Sequence, residues 1–192
     1  MFRLTAPSED EVRRFIDRQS SSRFSYHEVG ASAADTPPGY NLDHNRIQLG
    51  AGEATWLRAV AAIRGWQMFN IPWVHLYSPN APIQVGTNVA VLVDHFGFHS
   101  LNACRIAYVV DEDGPVRRFG FAYGTLWEHA ESGEERFTVE WRRHEDEVWY
   151  DILAFSRPRT VAARLAYPLS RHLQRKFAEA SKLAMQRAAN NS

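Results

Sequence analysis

The chain has 192 residues, of which 45 % are hydrophobic and 23 % charged, with zero formal net charge and a single cysteine. That length suits one well-buried core and is short for two. The longest uninterrupted apolar run, Val89 to Val93, is far below the roughly 20 residues that a bilayer span needs, so membrane insertion is not expected, and Cys104 cannot form an intramolecular disulfide.

Ser8 opens an S-E-D-E pattern with Glu11 three residues on, a capping box, and Val12, Phe15 and Ile16 follow at helical spacing. A short amphipathic helix is therefore expected within residues 1–20, over 8 to 19. The same stretch carries acids and no apolar h-region, so no signal peptide is expected, and with the lone cysteine this predicts a reduced, cytoplasmic location. Phe24 to Val29 reads as a strand. Ala31 to Asn45 is small, polar and rich in Pro and Gly, and reads as a loop. Gly52 to Phe69 reads as a second helix, with Trp56, Ala59, Val60, Ile63 and Trp66 on one face.

Six strand-like runs follow in series. They are Trp73 to Tyr77, Ile83 to Val93, Ala103 to Val110, Arg117 to Trp127, Arg136 to Arg142 and Val148 to Phe155. Turn signals separate them: Ser78 to Pro82, Asp111 to Gly114, Glu131 to Glu135 and His144 to Glu147. Connections this short pair neighbouring strands antiparallel. In the run from Arg117 to Trp127, Phe119, Phe121, Tyr123, Thr125 and Trp127 share one face. Gly120, Ala122 and Gly124 share the other. The small face either leaves room for a helix or ligand, or lets the sheet bend.

The last helix is expected over 159–189, with Pro168 in the first turn of its main segment. Leu165, Leu169, Leu173, Phe177, Ala180 and Ala184 make an apolar stripe, opposite Arg164, Arg171, Arg175 and Lys182. From Arg157 onward the chain has eight Lys or Arg and one acid, Glu179, so this end carries seven net positive charges and the first 156 residues seven net negative. Either the two fields cancel across the fold, or the helix offers a patch to an anionic partner. No aromatics interleave with the basic stripe and no nucleic-acid motif occurs, so no nucleic-acid binding is expected.

No HExxH, CxxC or HxH is present, and the adjacent pairs Asp43–His44, Asp94–His95 and Glu128–His129 cannot chelate one ion from a strand. No metal or other cofactor is expected. The sequence also lacks a GxSxG elbow, a P-loop and a GxGxxG turn, which argues against the common hydrolase, NTPase and dinucleotide chemistries. Cys104 reads as a small buried residue. Glu135 shares a face with Phe137, Val139 and Trp141. It is either a carboxylate raised in pKa by an apolar wall or a turn decoration. Arg157 has a similar double reading, as a turn cation or an anchor for a ligand carboxylate.

The segments PPGY (37–40), FGFAYGTLWEHAESGEERF (119–137), VWYDILAFSRP (148–158) and PLSRHLQRKF (168–177) resemble a bacterial and plant family catalogued as a domain of unknown function. The resemblance covers most of residues 24 to 187. At superfamily level it is similar to the START-like, helix-grip proteins of the birch-pollen allergen type. It implies a curved antiparallel sheet gripping a long C-terminal helix, often around a hydrophobic ligand.

The expected fold is therefore a single α+β domain over 1–192, with six to seven antiparallel strands around the C-terminal helix. The expected function is binding of a small hydrophobic or amphipathic molecule between sheet and helix. Tyr40, Trp66, Tyr123, Phe137, Trp141 and Phe177 are candidate walls, and Glu135, Arg157 and Arg171 candidate polar anchors. A cavity under roughly 300 Å³ would count against this reading. The alternatives are acid–base catalysis in the same cavity, through Glu135 or Tyr123, and a protein-interaction module built on the basic helix. Nothing in the sequence fixes an oligomeric state.

Overall fold

The computed structural model describes residues 2–34, 36–78, 80–95, 97–129, 131–159 and 167–190. Its elements in chain order are β1 (Phe2–Arg3), α1 (Glu9–Gln19), β2 (Asn41–Ala51), α2 (Gly52–Arg64), β3 (Val74–Tyr77), β4 (Asn88–His95), β5 (Phe98–Glu112), β6 (Val116–Thr125), β7 (Glu131–Arg142), β8 (Glu147–Pro158) and α3 (Tyr167–Asn190). Seven strands form one antiparallel sheet in the order β2-β8-β7-β6-β5-β4-β3, and β1 adds a two-residue pairing to β5. The sheet curls around α2 and α3. This is the helix-grip architecture that the strand series and its terminal helix predict.

Curvature has local causes. β2 is bulged between Gln48 and Gly50, and β5 between Ile106 and Tyr108, and a bulge bends its strand and increases the twist. Gly120 sits where the strands crowd. A Cβ there would lie 2.1 Å from the Phe137 carbonyl oxygen, so no larger residue fits.

The concave face carries the main core. Phe119, Phe121 and Tyr123 of β6 meet Phe137 and Val139 of β7, Tyr150 and Ile152 of β8, Trp56 and Ile63 of α2, and Met185 and Ala189 of α3. Each fully buried ring or branched side chain contributes about 1.5–3 kcal/mol. The Tyr150 hydroxyl lies 2.9 Å from the Ser181 hydroxyl, which satisfies both polar atoms in this core. The convex face is covered in part by α1, whose Val12 and Phe15 pack on Ala90, Leu92, Leu101 and Ala103. The capping box forms as read: Ser8 Oγ accepts from the Glu11 N–H at 3.3 Å, and Glu11 Oε2 accepts from the Ser8 N–H at 2.8 Å.

Several boundaries differ from the sequence reading. Phe24 to Val29 is not a strand. Only Phe24 bridges the sheet, to Leu126, and the segment crosses the convex face as a strap. The first long strand is β2, in a stretch read largely as loop. β7 begins at Glu131, inside the expected turn. The second helix stops at Arg64, because Gly65 caps it and Trp66 adopts left-handed φ of 52° before a short 3-10 turn at Gln67–Phe69. On α3 the most buried positions are Ala178, Ser181, Ala184, Met185 and Ala189, whereas Leu169 keeps 37 % of its surface exposed. Arg164, Leu165 and the turn expected before Pro168 lie outside the described residues.

Candidate functional site

One cavity of about 290 Å³ lies between the concave face and the N-terminal half of α3. Its apolar walls include Phe69, Trp73, Val91 and Ile152, with Leu173 and Phe177 contributed by the helix. Strand alternation supplies its polar groups. On β7, Glu131, Gly133 and Glu135 point inward at successive alternate positions, and Tyr123 of β6 lies directly across from Glu135.

Tyr123 donates its hydroxyl to Glu135 Oε2 at 2.9 Å. Glu135 is half-buried, and what surface it keeps faces the cavity. Removal from bulk water pushes its pKa up to about 7, with Asp43 and Glu131 adding in the same direction and the Tyr123 hydrogen bond opposing. Tyr123 itself is held well above its ordinary value by burial and by Glu135. Glu131 is also raised by burial, against hydrogen bonds from Ser170 and Gln174 and the nearby Arg171. The Gln174 amide reaches it at 2.7 Å. His129 accepts from the Glu131 N–H through Nδ1 at 3.0 Å, and burial depresses its pKa to about 4, so the ring is neutral. Burial raises the Cys104 thiol, which stays protonated.

The residues read from sequence as a ligand site separate into two groups. Tyr123, Glu135 and Phe177 line the cavity. Phe137 is fully buried one layer deeper, with its ring 5.3 Å from Tyr123 and 5.6 Å from Phe69. Trp66 is buried in the core, its indole N–H donating to the Ala81 carbonyl at 2.9 Å. Trp141 lies toward the far end of β7 and donates to Asp146 at 3.0 Å. Tyr40 packs outside, where its hydroxyl donates to Glu28 at 2.8 Å and the Arg157 guanidinium sits 4.3 Å above its ring. Arg157 is therefore exposed and engaged away from the cavity. Arg171 grips Asp43 of β2 through both terminal nitrogens, one of them at 2.6 Å from Oδ1. It closes the helix onto the sheet edge.

The basic residues of α3 do not make a single outer stripe. Arg171 turns to the sheet, Lys182 pairs with Glu179 at 2.8 Å, and Lys176 lies 4.9 Å from the Trp73 ring centre. Among the described residues of the predicted stripe, Arg175 alone is exposed at the cavity rim. Glu131 and Gln174 were not singled out from sequence as site residues, and His129 was weighed there only in an adjacent pair that cannot chelate one ion. The signal lay in the alternation of β7, hidden because its first residues read as a turn.

The small-residue face of β6 has a different use from the cavity. It is convex, and the strap fills it. A Cβ on Gly124 would lie 1.9 Å from the Tyr26 hydroxyl oxygen. Tyr26 donates to Glu134 Oε2 at 2.7 Å, joined there by the Gly30 N–H at 2.8 Å. The Ser32 N–H at 3.0 Å and its hydroxyl take Oε1. Glu134 is thus a buried carboxylate with four donors, and it fastens the strap across the sheet.

A family model described as a domain of unknown function, DUF1990, matches residues 25–184. The chain is 38 % identical over 201 residues to a UPF0548 protein of Deinococcus radiodurans, covering 98 % of this chain and 99 % of that protein. It is 37 % identical over 196 residues to a UPF0548 protein of Dictyostelium discoideum, covering 92 % and 90 %. The solved structure of hypothetical protein jhp0584 from Helicobacter pylori is similar with a TM-score of 0.55, over 88 % of this chain and 96 % of that one. At 12 % identity that likeness is one of fold alone. With its family model spanning most of the chain and full-length relatives in a bacterium and a slime mould, the chain belongs to the DUF1990 family.

Proposed function

We propose that this protein binds a small amphipathic molecule between the sheet and α3. The supporting observation is the cavity itself, with ring and aliphatic walls and a few convergent polar groups headed by the Tyr123–Glu135 pair. Its volume of about 290 Å³ falls just under the roughly 300 Å³ at which ligand sites begin, which counts against this reading and restricts it to small ligands. A body of one or two rings fits within it. Native mass spectrometry of gently purified protein is expected to show a low-mass adduct, absent from an Ala154→Phe variant in which the new ring occupies the cavity. An empty wild-type protein that also takes up no small aromatic probe would overturn the reading.

A second reading, acid–base catalysis on the bound molecule, is favoured by one observation: Glu135 titrates near neutrality while hydrogen-bonded to a phenol. A Glu135→Gln variant that binds normally and leaves cellular metabolites unchanged removes its motive.

A further inference from the structure

We infer that the molecule held in this cavity is a small cationic amphiphile, an amine on a one- or two-ring apolar body, with its ammonium placed against Glu135. This deepens the binding reading above and rests on it. The charged and titratable groups around Glu135 come from every element that packs on it. Tyr123 on β6, Cys104 on β5 and Tyr150 on β8 are neutral, held protonated by burial. His129 is neutral. Asp43 on β2 and Glu131 on β7 are acids whose fields reach Glu135. On α3, Arg171 is committed to Asp43, and Arg175 stands exposed at the rim.

Among the described residues neither Glu135 nor Glu131 has an ion-pair partner. Among the described residues the floor of the cavity is thus a carboxylate site with donors of hydrogen bonds, whose one nearby cation, Arg171, is paired with Asp43 and makes no ion pair with Glu131 or Glu135, and it is enclosed by rings and aliphatic side chains. An anionic ligand end placed there would lose its hydration and meet like charge. An ammonium would find an ionised carboxylate at hydrogen-bond range and a second close by, which is the arrangement that compensates burial of a cation. Without such a cation the carboxyl accommodates its surroundings by keeping its proton up to about pH 7.

Three probes of one skeleton test the inference by titration calorimetry on the full chain: a naphthylethylamine, the corresponding naphthylethanol, and naphthylacetate. The amine is expected to bind at least about tenfold more tightly than the alcohol, with the acid weakest. That preference should disappear in Glu135→Gln. An alkylamine keeps its proton from about pH 5 to 8, so only the protein's carboxyl has to ionise. Amine affinity should therefore fall roughly tenfold or more between about pH 7.5 and 5.5, with proton release on binding that shows as buffer-dependent heat. This pH profile belongs to the wild-type protein and decides the matter even if the variant does not fold. Equal binding of alcohol and amine, or tightest binding of the acid with Arg175 as its anchor, overturns the inference and leaves the binding reading standing. So does a co-purified adduct without a basic nitrogen. If no probe binds and no adduct co-purifies, the binding reading falls and takes the inference with it.

Discussion

Glu134 and Glu135 are neighbours on β7 whose side chains leave opposite faces of the sheet, one into four donors under the strap and the other into the cavity with a single phenol. Folding asks Glu135 to keep its proton: its pKa is about 7 in the folded protein against a reference near 4.5. Below the reference value both states are protonated and stability is unaffected. As pH rises from there to about 7, the unfolded chain releases a proton that the folded chain retains, and stability declines. Above that the loss is complete. Glu135→Gln removes this loss while keeping an acceptor for Tyr123. It should be more stable than wild type by about 2–3 kcal/mol at pH 8, with no difference near pH 4, as measured by urea unfolding. On the opposite face, Gly124→Ala has to displace Tyr26 from Glu134. It is expected to cost about 2–4 kcal/mol. Most of that cost should vanish in a Tyr26→Ala background, since the two positions act through one contact.

β2 and α3 meet at the Asp43–Arg171 pair, and they show which elements the sequence discloses. The capping box of α1 and the strands from β3 to β8 were legible because local chemistry and alternation agree there. β2 was not. Asp43 and Asn45 face the cavity, and outward His44 and Arg46 are consumed by Asp151 and Glu140, so the strand lacks the apolar alternation that marks a half-buried one. Conversely Phe24 and Tyr26 alternate like a strand, yet each ring anchors the strap singly. The apolar spacing through Trp66 continues the stripe of α2, but the Gly65 cap outweighs it. Of the candidate site, Glu135, Tyr123 and Phe177 were accessible from strand and helix phase. Glu131 and Gln174 depend on a strand start and a helix rotation that single-chain periodicity does not fix. Asp43→Asn should loosen the first turns of α3. Hydrogen exchange there is expected to speed up severalfold, consistent with about 1 kcal/mol for a partly exposed pair. Protection around Ser181 to Ala189, held by the buried core, should not change. Uniform loosening of the whole helix would contradict this division.

At the scale of the molecule, the order of elements carried the architecture: a run of antiparallel strands followed by one amphipathic helix has few ways to bury both apolar surfaces. The same sequence order assigns times to the parts. Strands β3 to β8 pair mostly with their immediate neighbours in the chain, so their loops close cheaply, whereas Tyr26 must find Glu134 across 108 residues and β2 must find β8 across a similar span. The strap is thus expected to be laid last on a sheet that already exists, as a seal rather than a nucleus. Tyr26→Phe deletes only its hydroxyl, a loss of about 1–2 kcal/mol. In a chevron analysis that loss should fall on the unfolding limb, with unfolding about tenfold faster and refolding unchanged. Residence time in the folded state, rather than the speed of reaching it, would then be what a single buried carboxylate on the convex face governs.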